Sequence, residues 1–133
     1  VWGNNHSVVR FGQGAFRLAL ENVYLETTGR RLVSTVFGKP HRLTYEYADR
    51  LLKDLFLTNG GRQVEKVEPS VWMVGDNTES DIAGANGYGW SSALVRTGVY
   101  KDSHGPPNHK PTLLVDNVEE AVSKALDLEW SLK

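Results

Sequence analysis

The sequence predicts an α/β fold, a Rossmann-like parallel sheet with helices on both faces, and three observations predict it. Short apolar runs alternate with stretches of helical period along the chain. One of these runs, Val71 to Val74, is apolar at every position, as in a strand covered on both faces of a parallel sheet. Two such runs lead straight into Asp-led turns of helix-capping type.

The first element is a helix over Ala15 to Thr28. Phe16, Ala19, Leu20 and Val23 fall at helical spacing, and Gly29 supplies a left-handed stop. Val33 to Phe37 is a β-branched and aromatic run that reads as a strand, stopped at Lys39 by Pro40. Leu43, Tyr47, Ala48, Leu51, Leu52, Leu55 and Phe56 then repeat at three and four residues, and Asn59 with Gly60 ends that helix. Gly61 to Pro69 is polar and charged and reads as an exposed connection.

The strand at Val71 to Val74 ends at Gly75 and Asp76. Thr78 followed by Asp81 has the form of a capping box, so a short helix is expected from Glu79 to Asn86, broken by Gly87 and Gly89. Ser91 to Val95 reads as a strand and Lys101 to Pro111 as a loop. Thr112 to Val115 is the last strand. Asp116 with Glu119 caps a closing helix whose apolar face is Val118, Ala121, Val122, Ala125 and Leu126.

Size and composition narrow the function. A chain of 133 residues suits one domain and is long enough to bury about two-thirds of its unfolded surface. No stretch approaches the ~20 apolar residues of a membrane span, which argues against a membrane partner. A net charge of −1 provides no field to attract a phosphate backbone, which argues against nucleic acid. Cysteine is absent, so disulfides, thiolate metal sites and cysteine nucleophiles are excluded. A start at Val1 suggests a truncated or processed chain.

Ligands of open parallel sheets bind beyond the carboxyl ends of the strands, where Lys39 and Asp76 both lie. An ammonium and a carboxylate there can converge on one metal-bound anion, and phosphate is the natural candidate. Asp76 and Asp81, five residues apart across a strand end and a first helical turn, meet the needs of Mg2+, which takes one or two protein carboxylates and keeps several waters. Backbone N–H groups of the helix start lie close by.

GKP at Gly38 to Pro40 and VGDNTESDIAGA at Val74 to Ala85 resemble the third and fourth motifs of haloacid dehalogenase (HAD) superfamily hydrolases. Over almost its whole length, including FGQGAFRLALENVY, TGVY and KPTLLVDNVEEAV, the chain resembles the cat eye syndrome critical region protein family, a class IIA branch whose cap domain precedes this region. The resemblance implies that residues 1–133 are the C-terminal part of a HAD-like core domain, with residues 1–12 returning from the cap. It gives Lys39 the task of neutralising the transferring phosphoryl group, Asp76 that of binding magnesium, and Asp81 that of supporting it directly or through water. Gly75 and Asn77 would shape the supporting loop.

The family reaction is attack by an aspartate on a phosphate ester, giving an aspartyl-phosphate that water hydrolyses. The hhhDxDG motif carrying that aspartate is not in this sequence. Asp116 follows the apolar run Leu113 to Val115, but Val118 stands where the second aspartate is needed, so Asp116 reads as a helix cap. The expected partners are therefore the missing N-terminal half of the same protein and a small phosphorylated substrate. The sheet is expected to be incomplete with an exposed apolar edge, and the chain alone inactive. The resemblance also implies a mitochondrial location. The rival readings are a non-catalytic binding or scaffolding module of the same fold and a nucleotide-binding domain of another α/β family.

Other residues take blander readings. His6, His41, His104 and His109 lack zinc-site spacing and read as solvated loop residues. Gly12 and Gly14 lack the third glycine of a dinucleotide fingerprint, whose place Arg17 takes. Trp2, Trp72, Trp90 and Trp130 are scattered and read as packing residues. No GxSxG marks a serine hydrolase.

Overall fold

The computed structural model describes residues 10–60 and 71–131 of the chain. It divides into two compact units, Val1–Val36 and Phe37–Lys133. The expected connection at Gly61 to Pro69 lies outside the described residues.

In the first unit, helix α1 spans Gln13–Thr28 and ends where Gly29, at φ 67°, donates its N–H to the Leu25 carbonyl at 2.8 Å. Only a residue without Cβ enters that left-handed turn without strain, which is why the helix stops there. Among the described residues α1 buries none of its side chains, so its apolar spacing is real but uncovered.

The strand expected at Val33 to Phe37 does not form: residues 31–37 have no regular structure, and Val33 and Phe37 lie exposed. β-branched residues favour extended backbone, but a strand exists only where a neighbour takes its N–H and C=O groups. The one sheet among the described residues begins at Trp72.

The second unit opens with helix α2, Arg42–Thr58, closed by Asn59 and by Gly60 at φ 81°. Its single buried side chain is Tyr45; Leu51, Leu55 and the rest of its C-terminal apolar stripe are half exposed. Strand β1, Trp72–Gly75, follows, then a π turn at Thr78–Ile82 that runs into helix α3, Ala83–Tyr88. Strand β2 is Ser91–Val95, a 3-10 turn occupies Asp102–His104, strand β3 is Leu113–Val115 and helix α4 is Val118–Ser131.

The three strands are parallel in the order β1-β2-β3, with Val74 opposite Ala93 and Ala93 opposite Leu113. Successive side chains of a strand point to opposite faces, so β2 divides the core in two. Ala93 and Val95 pack with Val115 and with Ala121 of α4, whereas Leu94 packs on the other face with Ile82 and Tyr100. β2, paired on both sides, is buried from Ser92 to Val95, while β1, an edge of this sheet, is only half buried along its length. The prediction of a strand covered on both faces thus fits β2 and not β1.

Buried Ser92 is satisfied by donating to Asn86 Oδ1 at 2.9 Å and by accepting from the Thr112 N–H at 3.4 Å. On α4 the predicted apolar face is buried only at Ala121, with Ala125 half-buried and Val118, Val122 and Leu126 exposed. Gly87 does not break α3, which ends at Gly89 with φ 94°.

Both predicted caps are displaced by one residue, each onto a neighbouring asparagine. Asn77, not Thr78, caps the first turn, its Oδ1 accepting from the N–H groups of Glu79 at 2.9 Å and Ser80 at 3.3 Å. Ahead of α4, Asn117 Oδ1 accepts from the Glu120 N–H at 3.0 Å, and the Glu120 carboxylate accepts from the Asp116 N–H at 2.7 Å. Asp116 is therefore not the cap; its carboxylate pairs with Arg96 Nη1 at 3.0 Å. In each Asp-Asn pair the asparagine satisfies the helix start and frees the aspartate for another partner.

Glu120 also pairs with Lys124 at 2.7 Å, and the Lys124 hydrogen bond, followed by that of the Asp116 N–H, holds its carboxyl below the ordinary 4.5. A depressed folded value means that stability is present above 4.5 and is lost as pH falls through the lower, folded value. Thermal melts of wild type and Glu120→Gln should differ at neutral pH, with the variant less stable. That gap should close as the solution is acidified below 4.5.

Candidate active site

Gly38, at φ 109°, opens a tight turn whose Lys39–Pro40 peptide is cis. The turn is closed by the His41 N–H on the Gly38 carbonyl at 2.9 Å, and the Thr44 hydroxyl accepts from the Gly38 N–H at 2.9 Å. This ties the turn to the first residues of α2 and sets where the Lys39 stem leaves the backbone. Lys39 Nζ donates to Asp81 Oδ1 at 2.5 Å across 42 residues of sequence. The lysine side chain is 46% exposed and the aspartate 3%. A carboxylate so buried requires a countercharge, and a lysine open to solvent on its other side is a cation that a small anion can reach.

Asp81 sits on the π turn, where Asn77 C=O accepts from both the Asp81 N–H at 2.9 Å and the Ile82 N–H at 3.4 Å. Its second oxygen accepts the Asn77 N–H at 3.1 Å, and the Ser80 hydroxyl lies 3.4 Å from the first. The carboxylate lies against the backbone at Gly75, where any Cβ would overlap it. Gly75 is thus the close-approach residue of the loop and Asn77 its cap.

Asp76 is held by a different segment. Its Oδ2 accepts the Val99 N–H at 2.7 Å, its carbonyl accepts the Tyr100 N–H at 3.0 Å, and a Cβ at Gly98 would overlap its carboxylate. The ammonium's hydrogen bond goes to Asp81, while Asp76 takes its own from backbone. Gly98 and Val99 are site residues that sequence reasoning missed; a glycine three residues past a strand end was the available signal. Tyr45 was also missed. It donates from its hydroxyl to the carbonyls of Ser80 at 3.1 Å and Asp81 at 3.3 Å. Burial, with the nearby Asp81 charge second, pushes its phenol up, so it remains a donor.

The carboxylates of Asp76 and Asp81 are hard oxygen donors of the type magnesium takes; Asp76 Oδ2 accepts from the Val99 N–H, while Asp81 accepts from Lys39 and Ser80 at one oxygen and from Asn77 at the other. Among the described residues no group of three or more His, Asp or Glu side chains forms a fuller cage. Two carboxylates are within what magnesium takes from a protein.

Two ion-pair groups flank this arrangement. Glu79 accepts from Asn108 Nδ2 at 2.8 Å and lies 3.5 Å from His109 Nε2, tying the loop before β3 to the π turn. Hydrogen bonding from Asn108, with His109 behind it, lowers the Glu79 carboxyl. Arg96 donates to Asp102 at 2.9 Å and to Asp116 at 3.0 Å, and these partners, Asp102 first, raise its guanidinium further.

A parallel sheet with a lysine turn and an acidic turn at its carboxyl end defines the class, and the comparison with known families agrees. The HAD-hydrolase-like family model matches residues 36–121, so the chain belongs to the HAD-like hydrolase family. It is 45% identical over 130 residues to a cardiolipin synthase (CMP-forming)/mitochondrial hydrolase fusion protein of Schizosaccharomyces pombe, covering 95% of this chain and 20% of that protein. It is 42% identical over 142 residues to a mitochondrial hydrolase of Saccharomyces cerevisiae, covering 96% of this chain and 40% of that one. The chain thus spans well under half the length of these relatives.

Among solved structures, a Pyrococcus horikoshii protein superposes with TM-score 0.58 at 26% identity, covering 86% of this chain and 36% of that one. The p-nitrophenyl phosphatase of Archaeoglobus fulgidus, at TM-score 0.51 and 20% identity over 80% of this chain and 38% of that one, shares the fold.

The close approach at Asp76 is testable. Gly98→Ala should cost about 1–3 kcal/mol in urea unfolding, because the added methyl meets the carboxylate. Gly87→Ala, where the added carbon meets nothing within 4 Å and φ is not positive, should stabilise by about 0.4–1 kcal/mol.

Proposed function

We propose that this chain contributes Lys39, Asp76 and Asp81 to the active site of a magnesium-dependent phosphohydrolase acting on a small phosphorylated substrate. The observation that carries the reading is the Lys39–Asp81 ion pair, which joins the lysine turn to the acidic turn at the carboxyl end of the sheet. Membership of a hydrolase family and a family sheet ending in these turns support it.

Asp76 and Asp81 would hold the magnesium, which when bound supplies charge neutralisation to phosphoryl oxygens. Lys39 offers its solvent-facing ammonium protons to a phosphoryl oxygen while its third stays on Asp81, orienting the anion without giving up its own position. Asn77, the cap, keeps the Glu79 and Ser80 N–H groups engaged, so the π turn holds its shape as an anion approaches.

The nucleophilic aspartate of the phosphoaspartate mechanism is supplied from outside this chain, by the N-terminal half of the same protein. β1, an edge with one strand neighbour among the described residues, is where a further strand can add. On this reading the isolated chain binds magnesium but does not turn over substrate. The names of the two fungal relatives favour a mitochondrial location for the parent protein.

Two measurements test the proposal. By calorimetry, magnesium should bind the wild-type chain and lose at least tenfold in affinity in Asp76→Asn. With p-nitrophenyl phosphate and magnesium, the longer parent protein should turn over and its Lys39→Met variant should fall about 10²–10³-fold in kcat. Turnover by the 133-residue chain alone would refute the outside nucleophile.

A further inference from the structure

Tyr45 is the one buried side chain of α2, 2% exposed, and it lies six residues after Lys39 on the same turn-and-helix segment. Its ring is enclosed by Tyr88, stacked at 5.9 Å, and by Trp90, edge-on at 5.4 Å. The third side is Gly84, where a Cβ would overlap the phenol. The enclosure leaves the hydroxyl one direction, onto the carbonyls of Ser80 and Asp81.

Those carbonyls belong to the π turn, a rare conformation that occurs mostly as a single turn joined to an α-helix. The turn is widened by one residue: Ala83 N–H reaches back to Thr78 C=O, and Ile82 N–H shares Asn77 C=O with Asp81 N–H. One segment therefore grips Asp81 twice, by Lys39 on its carboxylate and by Tyr45 on its backbone.

We propose that Tyr45 is a positioning residue: its hydroxyl locks the π turn so that the Asp81 carboxylate stands under the Lys39 ammonium. The meaning of this for catalysis rests on the site proposed above, but the positioning itself does not. A phenol that merely fills the core would do its work through the ring alone, and phenylalanine would replace it.

Tyr45→Phe keeps the ring and removes both hydrogen bonds. Amide hydrogen exchange should speed up about tenfold at Asp81 and Ile82 and stay within about twofold of wild type at Leu94 and Val95 in β2. Magnesium affinity, titrated with the metal alone, should weaken about tenfold. Unchanged exchange at Asp81 and Ile82, or an equal rise there and in β2, would overturn the proposal. If the wild-type chain binds no magnesium, the metal reading fails, and the exchange contrast still decides the role of Tyr45.

Discussion

The site is organised around a nearly dry carboxylate. Asp81 is 2% exposed, and leaving such a charge unpaired costs several kcal/mol, so each of its neighbours serves to compensate it. Lys39 takes one oxygen, the Asn77 N–H the other, and Gly75 makes room by having no side chain. That single requirement couples three parts of the second unit: the lysine turn before α2, the end of β1 and the π turn. The chemistry proposed for the site follows from the same arrangement, because a lysine anchored on one side by a buried anion presents its remaining protons to solvent in a fixed direction.

Asp76 shows a complementary solution. It lies at the strand end, is embraced by the backbone of residues 98–100 and takes its hydrogen bond from the Val99 N–H. Neutral donors fix a carboxylate without cancelling its charge, and so leave it able to attract a cation. The two aspartates therefore divide the work, one tied to a protein cation and one held open. Such a division is well suited to a metal that accepts few protein ligands.

Much of this was legible in the sequence. α1 and α2 follow from apolar spacing and terminal glycines, and β2 was bounded at Ser91 and Val95 by turn residues on either side. Lys39 and Asp76 stood out by their place after apolar runs and Asp81 by its five-residue step from Asp76, although only the run before Asp76 forms a strand. What pattern reading could not supply was anything that depends on a partner across the fold. Val33 to Phe37 has strand propensity but no neighbour to pair with among the described residues, and the apolar stripe of α4 is fully buried only at Ala121. The caps were misplaced because Thr78 and Asp116 are good N-cap types, yet in both cases the adjacent asparagine accepts from the free N–H groups. Nothing in the sequence pattern singles out Tyr45, since its importance comes from carbonyls 35 and 36 residues away.

The central claim is that Asp76 and Asp81 together form the divalent-cation site of this unit. Manganese, a paramagnetic stand-in for magnesium, tests it most directly through the amide spectrum of the chain at substoichiometric metal. The account predicts signal broadening centred on residues 75–82 and 98–100, abolished in Asp76→Asn. Broadening centred instead on the acidic start of α4, around Asp116, Glu119 and Glu120, would contradict it, as would a spectrum that manganese leaves unchanged.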